Sequence, residues 1–179
     1  EKIKNIKDAR TNFLEIYKVG PKKAKELVSK GFTSVDQLKK EPKLNTLLNN
    51  QQILGLKYYD DILKRIPREE LVNHENYLYK MLSTLDSSAE LTIAGSYRRG
   101  KSDSGDIDVL LKGSTKLYKE FIQLLETSGY LTDKLVQGSK KYNGMCKLSN
   151  YTIHRRIDIM ITKPEEYPFA ILYFTGSKE

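Results

Sequence analysis

Asp106–Ile107–Asp108 stands at the head of the apolar run Val109–Leu110–Leu111, and Asp158 stands between Ile157 and Ile159. Alternate residues of a strand face the same side, so Asp106 and Asp108 point one way while Ile107 points into a core. Two residues of strand rise put their Cα atoms about 6.6 Å apart. Facing carboxylates at that spacing repel unless cations intervene. They suit two Mg²⁺ ions about 3.5–4 Å apart, the arrangement used for phosphoryl transfer. An aspartate inside an apolar strand opposes β propensity, so Asp158 needs a reason. Taken alone, an Asp-x-Asp pair also fits two strand-end acids facing water.

Gly95–Ser96 ends a short apolar run, Leu91 to Ala94, ten residues before Asp106. A glycine there lets the backbone approach a phosphate, the serine hydroxyl donates to it, and N–H groups at the next helix start complete an anion site. Arg98, Arg99 and Lys101 add positive charge nearby. Val19–Gly20–Pro21, followed by Lys22, Lys23 and Lys25, offers a second site. These residues resemble the hairpin of helix-hairpin-helix modules, in which backbone N–H groups at a helix start point at one DNA phosphate and the lysines supply field, fixing position without reading sequence. An ordinary helix–turn–helix corner fits the same residues.

The elements that must carry these residues follow from the pattern. A first helical stretch ends at Phe13, Leu14 and Ile16 and is broken by residues 17–21. Pro21 suits the first position of a second helix, with Ala24, Leu27 and Val28 as its apolar stripe and Gly31 as its stop. Ser34–Val35–Asp36–Gln37 has the form of a capping box. One helix is expected over about Gln51–Lys64, and a longer one from Pro67, with Leu71, Leu78, Met81, Leu82 and Leu85 on one face. After a strand at Leu91–Ala94 and another over Ile107–Leu111, a helix runs from Lys116 to Ser128, stopped by Gly129. Gly144–Leu148, Ile157–Ile161 and Ile171–Phe174 are further strand candidates. Helices therefore come first and a mixed sheet second, with a boundary near residue 70.

Charge follows the same division. Residues 1–66 hold 15 Lys or Arg against 8 Asp or Glu, whereas residues 67–179 hold 16 against 15. A basic N-terminal third attracts polyanions; a Lys-rich solubilising surface accounts for it equally well. The longest apolar run, Phe169–Phe174, is far shorter than the roughly 20 residues of a membrane helix. One cysteine, Cys146, excludes an internal disulfide and fits a reducing compartment. His74 and His154 leave little for imidazole-based metal chemistry. His74, between Asn73 and Glu75, is expected at the surface, His154 in a structural or DNA-facing role, Cys146 as a small buried residue, and Lys39, Lys40 and Lys43 as a solvated face.

Gly-Ser, about ten residues, then Asp-x-Asp on a strand resembles the nucleotidyltransferase superfamily pattern. Together with Ile66–Glu70, Gly95–Gly100, Ser104–Leu111, His154–Ile159 and Tyr173–Ser177, in that order, it makes the whole chain similar to family X DNA polymerases. The fold so implied is α+β: an N-terminal helical subdomain with a helix-hairpin-helix (1–70), a nucleotidyltransferase palm with a mixed sheet and flanking helices (71–164), and the start of a C-terminal subdomain that binds the nascent base pair (165–179). In that resemblance Asp106 and Asp108 hold both Mg²⁺ ions. Asp158 binds the catalytic one beside the primer 3′ hydroxyl, and Arg156 orients Asp158. Ser96, Arg99, Gly105 and Arg68 contact the incoming triphosphate, while Tyr173, Phe174 and Gly176 border its sugar. Val19, Gly20, Lys22 and Lys23 take a DNA phosphate, with a Na⁺ or K⁺ ion on the hairpin carbonyls; Lys18 stands where the family usually has glycine.

The implied activity is template-directed addition of deoxynucleotides to a primer in gap-filling base excision repair. The partners are gapped or primer-template DNA and deoxynucleoside triphosphates; no membrane is involved, a monomer is expected, and the setting is intracellular, nuclear in a eukaryote. The five residues Ser149–Ile153 leave no room for the long loop of template-independent relatives. A non-catalytic DNA-binding scaffold and a superfamily relative acting on RNA ends or small molecules are the other readings. The chain starts and stops in mid-pattern, without the family's lyase domain or its full C-terminal subdomain. As such a fragment it is expected to bind DNA and Mg–nucleotide but to polymerise poorly.

Overall fold

The computed structural model describes residues 2–95 and 97–175, with the side chain of Phe174 excepted. The chain divides into two compact units, 1–63 and 64–179. The first is helical: α1 (Lys2–Leu14), α2 (Pro21–Ser29), α3 (Val35–Lys39), a 3₁₀ turn at Leu44–Thr46, α4 (Asn50–Lys57) and α5 (Tyr59–Leu63). Phe13, Ile16, Ala24, Leu27, Leu38 and Leu56 form its core. Pro21 opens α2, where its missing N–H is no loss. Ser34 caps α3 by accepting from the Gln37 N–H, but Gln37 returns its side chain to the backbone N–H of Thr33, not of Ser34, so only half of the expected box closes. Asn49 and Gln52 make the full reciprocal box, on α4. The single helix expected over 51–64 is two, broken at Tyr58, whose ring is buried. Gly55 packs against the hairpin so closely that a Cβ would lie 2.8 Å from the Tyr17 carbonyl oxygen.

The second unit begins at Lys64, ahead of the boundary expected near 70, because its first residues are tied into it. β1 (Ile66–Pro67) pairs with β3 (Asp103–Ser104), and the Lys64 and Arg65 carbonyls accept from the Arg155 guanidinium. Then follow α6 (Arg68–Leu85), β2 (Glu90–Ile93), β4 (Ile107–Lys112), α7 (Thr115–Thr127), β5 (Leu131–Gln137), β6 (Lys141–Cys146), β7 (Arg155–Thr162) and α8 (Tyr167–Thr175). The five-stranded sheet runs β2-β4-β7-β6-β5, with β4 and β7 parallel and all other neighbours antiparallel. Ile107, Val109, Leu111, Ile157 and Ile159 face one side and share a core with Leu78 and Leu82 of α6 and Phe121 and Leu125 of α7. The intervening residues of β4 and β7 face the other side, where Leu110 and Met160 meet Tyr167, Ala170 and Ile171.

That last contact corrects the strand expected at Ile171–Phe174. The run is the end of helix α8, closed from its start by the Ala170 N–H to the Glu166 carbonyl. A short apolar run has no period to separate strand from helix, and here it covers the sheet as a helix. β5, an edge strand with mostly polar outward residues, and the two-residue β1 and β3 carried no apolar alternation strong enough to announce them.

His74 overturns the surface expectation. It is fully buried on the α6 face that carries Leu71, Leu78 and Leu82. Its Nδ1 lies 2.7 Å from the Tyr130 hydroxyl and its Nε2 3.2 Å from Glu70. Glu70 in turn receives both Nε (2.7 Å) and Nη2 (2.8 Å) of Arg155. Burial opposes the Glu70 charge, yet the hydrogen bonds from His74 and Arg155 outweigh it and hold its carboxyl down to about 2. Burial holds His74 below its ordinary 6.5, with Glu70 opposing. The neutral tautomer, donating from Nε2 to Glu70 and accepting from Tyr130, satisfies both ring nitrogens.

Both groups take up protons more readily when the chain unfolds. Stability is therefore full above about pH 6.5, falls first as His74 protonates, and falls again as pH drops from the ordinary 4.5 of Glu70 toward its folded value near 2. Urea unfolding at stepped pH measures this. Glu70→Gln should lose about 3–5 kcal/mol at pH 7, since Arg155 stays buried without its counter-charge, and should flatten the slope below pH 4.5. An unchanged slope in that variant would remove Glu70 as its source.

Candidate active site

β4 and β7 lie in parallel register, which sets Asp108 beside Asp158. Asp106, one residue ahead of β4, faces the same way, as strand alternation predicts. Each of the three offers a carboxylate oxygen within 4.8 Å of the others, and all three are half-buried. At 4.8 Å and an effective dielectric of about 20, each pair of charges repels by about 3.5 kcal/mol. Arg156 lessens this: its Nη2 donates to Asp158 Oδ1 at 2.9 Å and its Nη1 lies 3.7 Å from Asp106 Oδ2. Three anionic oxygen donors and no sulfur or imidazole suit a hard divalent cation, and the cluster can hold one.

The floor of the site is Gly95. Its φ of +70° favours glycine, and a Cβ there would stand 2.9 Å from Asp108 Oδ2. The adjoining Ala94 N–H donates to the Asp108 carbonyl at 2.8 Å, extending the β2–β4 ladder to the carboxylate. An 80 Å³ cavity lies against Ala94, Asp108, Lys141, Asp158 and Met160. Asn143 of β6, directly across from Asp158, donates its side-chain amide to Asp158 Oδ1. Neither Lys141 nor Asn143 was singled out in the sequence, where the expected strand began only at Gly144; the structure starts β6 at Lys141.

The expected triphosphate contacts are placed as follows. Ser96 and Gly176, and the side chain of Phe174, lie outside the described residues. Arg68 donates Nη1 to the Tyr97 and Lys101 carbonyls at 2.9 and 3.2 Å and stacks on the Tyr97 ring, so it braces the turn after Gly95. Arg99, on that turn, donates to the Thr175 carbonyl at the end of α8. Gly105 packs against Arg65, itself paired with Asp103. Tyr173 stands on α8 with most of its side chain exposed. Cys146 is buried, which pushes its thiol up to about 12 and removes it as a nucleophile.

In the helical unit the hairpin has its own geometry. Lys18 holds φ +68°, the left-handed conformation that a glycine would take freely, and its carbonyl accepts from Gln52 Nε2 at 3.0 Å. Val19 has a buried side chain, and its N–H is bonded to Ile16. Gly20 is the exposed N-cap of α2 and Lys22 extends into solvent. Lys23 turns inward instead, donating to the Leu47 carbonyl at 2.9 Å and pairing with Glu26.

A mixed sheet with two helices on one face and an aspartate triad beside a glycine turn on the other is a nucleotidyltransferase palm. Residues 65–164 match the family model of the DNA polymerase beta palm, and residues 11–63 that of the fingers domain of DNA polymerase lambda. The chain belongs to the family X DNA polymerases. It is 34% identical over 176 residues to DNA polymerase lambda of Rattus norvegicus, covering 92% of this chain and 30% of that protein. It is 30% identical over 192 residues to DNA polymerase lambda of Arabidopsis thaliana, covering 99% and 35%. Identity to DNA nucleotidylexotransferase of Xenopus laevis is 26%, covering 93% and 40%. The chain thus spans 30–40% of the length of these relatives.

Asp108→Asn tests the electrostatics without assuming a reaction. With divalent ions chelated, the variant should unfold at higher urea than the wild type, since one repelling charge is gone. Mg²⁺ at a hundredfold its Kd should stabilise the wild type by about 2.7 kcal/mol and the variant by far less. Equal stabilisation of both would place the ion elsewhere.

Proposed function

We propose that the protein is a template-directed DNA polymerase that adds deoxynucleotides to a primer 3′ hydroxyl during gap-filling repair. The observation that carries this is the convergence of Asp106, Asp108 and Asp158 on one spot beside the Gly95 turn. Magnesium fits the all-carboxylate set, and two such ions would neutralise the triphosphate and acidify the primer hydroxyl. Asp106 and Asp108 would hold both ions and Asp158 the one at the hydroxyl. Asp158 also stands ready to orient or deprotonate that hydroxyl, whose oxygen attacks the α-phosphorus as pyrophosphate leaves. Arg156 keeps Asp158 turned toward its partners.

Ser96, Arg99 and Gly105 are assigned to the triphosphate, and Arg68 acts by holding the turn that carries Arg99. Tyr173, Phe174 and Gly176 are assigned to the sugar, where bulk beside C2′ disfavours ribonucleotides. Residues from 165 onward are read as opening the subdomain that binds the nascent base pair. Val19, Gly20 and Lys22 form the DNA-phosphate hairpin, while Lys23, turned toward Leu47 and Glu26, supports it from within; a Na⁺ or K⁺ ion on the hairpin carbonyls belongs to the same reading. Among the described residues no helix is long and apolar enough to cross a membrane. A monomer working in the nucleus on gapped or primer-template DNA completes the proposal. A DNA-binding scaffold would account for the basic N-terminal third, but it leaves three clustered acids without a purpose.

Primer extension on gapped DNA decides. Asp158→Ala should lower turnover by about 10³-fold or more while DNA affinity stays unchanged, because charge stabilisation in the transition state is lost and binding is not. Turnover near wild type in that variant would refute the assignment. Salt titration of DNA binding separates the hairpin lysines. Lys22→Ala should reduce the slope of log K against log salt by about 0.9, one phosphate contact. Lys23→Ala should leave the slope unchanged, its ammonium being engaged by Leu47 and Glu26.

A further inference from the structure

We propose that Asn143 is a positioning residue for Asp158, holding the carboxylate at its ion-binding angle without contributing charge; the inference rests on the polymerase reading of the triad. Asn143 and Asp158 are directly paired across the antiparallel β6–β7 ladder, so their side chains leave the sheet on the same face. The Asn143 amide and the Arg156 Nη2 both donate to Oδ1 of Asp158. With two donors on Oδ1, one from its own strand and one from β6, rotation of the Asp158 carboxylate is restrained.

The two donors do different work. Arg156 carries a full charge and also lies 3.7 Å from Asp106, so it spans two of the three carboxylates. A divalent ion entering the triad repels that charge. Asn143 is neutral, touches Asp158 from the opposite strand, and does not oppose the ion. A partner that orients a ligating carboxylate in this way typically matters about 10–100-fold in metal affinity or activity. The residue type argues the same way: Asn disfavours strands, and this one is half-buried in the middle of β6 with its amide directed at an acid.

Two readouts test this: Mn²⁺ bound by the free protein, counted by electron paramagnetic resonance, and primer extension on gapped DNA. Asn143→Leu keeps the strand and removes the donor. It should weaken Mn²⁺ binding about tenfold and lower kcat about 10–100-fold, with KM for the deoxynucleotide and Kd for DNA within about twofold of wild type. Asn143→His, whose ring Nδ1–H can occupy the place of the amide, should recover most of both losses. Asn143→Ala, with no added bulk, should reproduce the leucine result and serves if Asn143→Leu does not fold. Wild-type Mn²⁺ affinity and kcat in Asn143→Leu or Asn143→Ala, alongside an inactive Asp158→Ala, would overturn the role of Asn143 and leave the polymerase reading standing. An active Asp158→Ala would instead remove that reading.

Discussion

Three carboxylates whose donor oxygens lie within 4.8 Å of one another repel, and the palm is built to hold them there. The restraint comes from backbone register. Parallel pairing of β4 and β7 sets Asp108 against Asp158, the two-residue period brings Asp106 to the same face, and Gly95 removes the Cβ that would push Asp108 away. Side chains then finish the work, since Arg156 and Asn143 take the oxygen of Asp158 that faces them. An unstrained surface would let three such acids drift apart, and a site that keeps them together is poised for a cation.

Consecutive arginines on β7 show how one strand serves both structure and chemistry. Arg156 faces the acids. Arg155, one residue earlier, faces the opposite side and is almost wholly buried. There it meets Glu70 through two hydrogen bonds and reaches the carbonyls of Lys64 and Arg65. The start of β7 is thus anchored from behind at the point where it carries the site in front. Removing charge from that buried network disturbs the anchor, which is why the linked pair of Glu70 and His74 makes the unit sensitive to acid.

Much of this was legible in the chain. The triad was readable from the pairing of acids with apolar neighbours at strand spacing, and the start of α2 from Gly20–Pro21. Helix stripes at three- and four-residue spacing located α2, α6 and α7 closely, because local hydrogen bonding and one buried face determine them. The failures share a different cause. Tyr58 breaks a helix whose pattern runs through it. Ile171–Phe174 has β-favouring residues yet lies in a helix. His74 was judged by its polar neighbours Asn73 and Glu75, although Leu71 and Leu78, three and four residues away, share its face.

Residue type and neighbours a few positions away were enough to pick out the residues able to do chemistry and most of the elements that carry them, with Tyr173, expected on a strand but lying on α8, as an exception. Which side chains meet was set by packing alone. The order β2-β4-β7-β6-β5 brings Asp158 beside Asp108, 50 positions earlier, and Asn143 across from Asp158. Packing within the helical unit sends Lys23 to Leu47, and packing within the second unit carries Arg155 to Glu70. Such contacts join distant segments through register and burial, and no spacing along the chain encodes them.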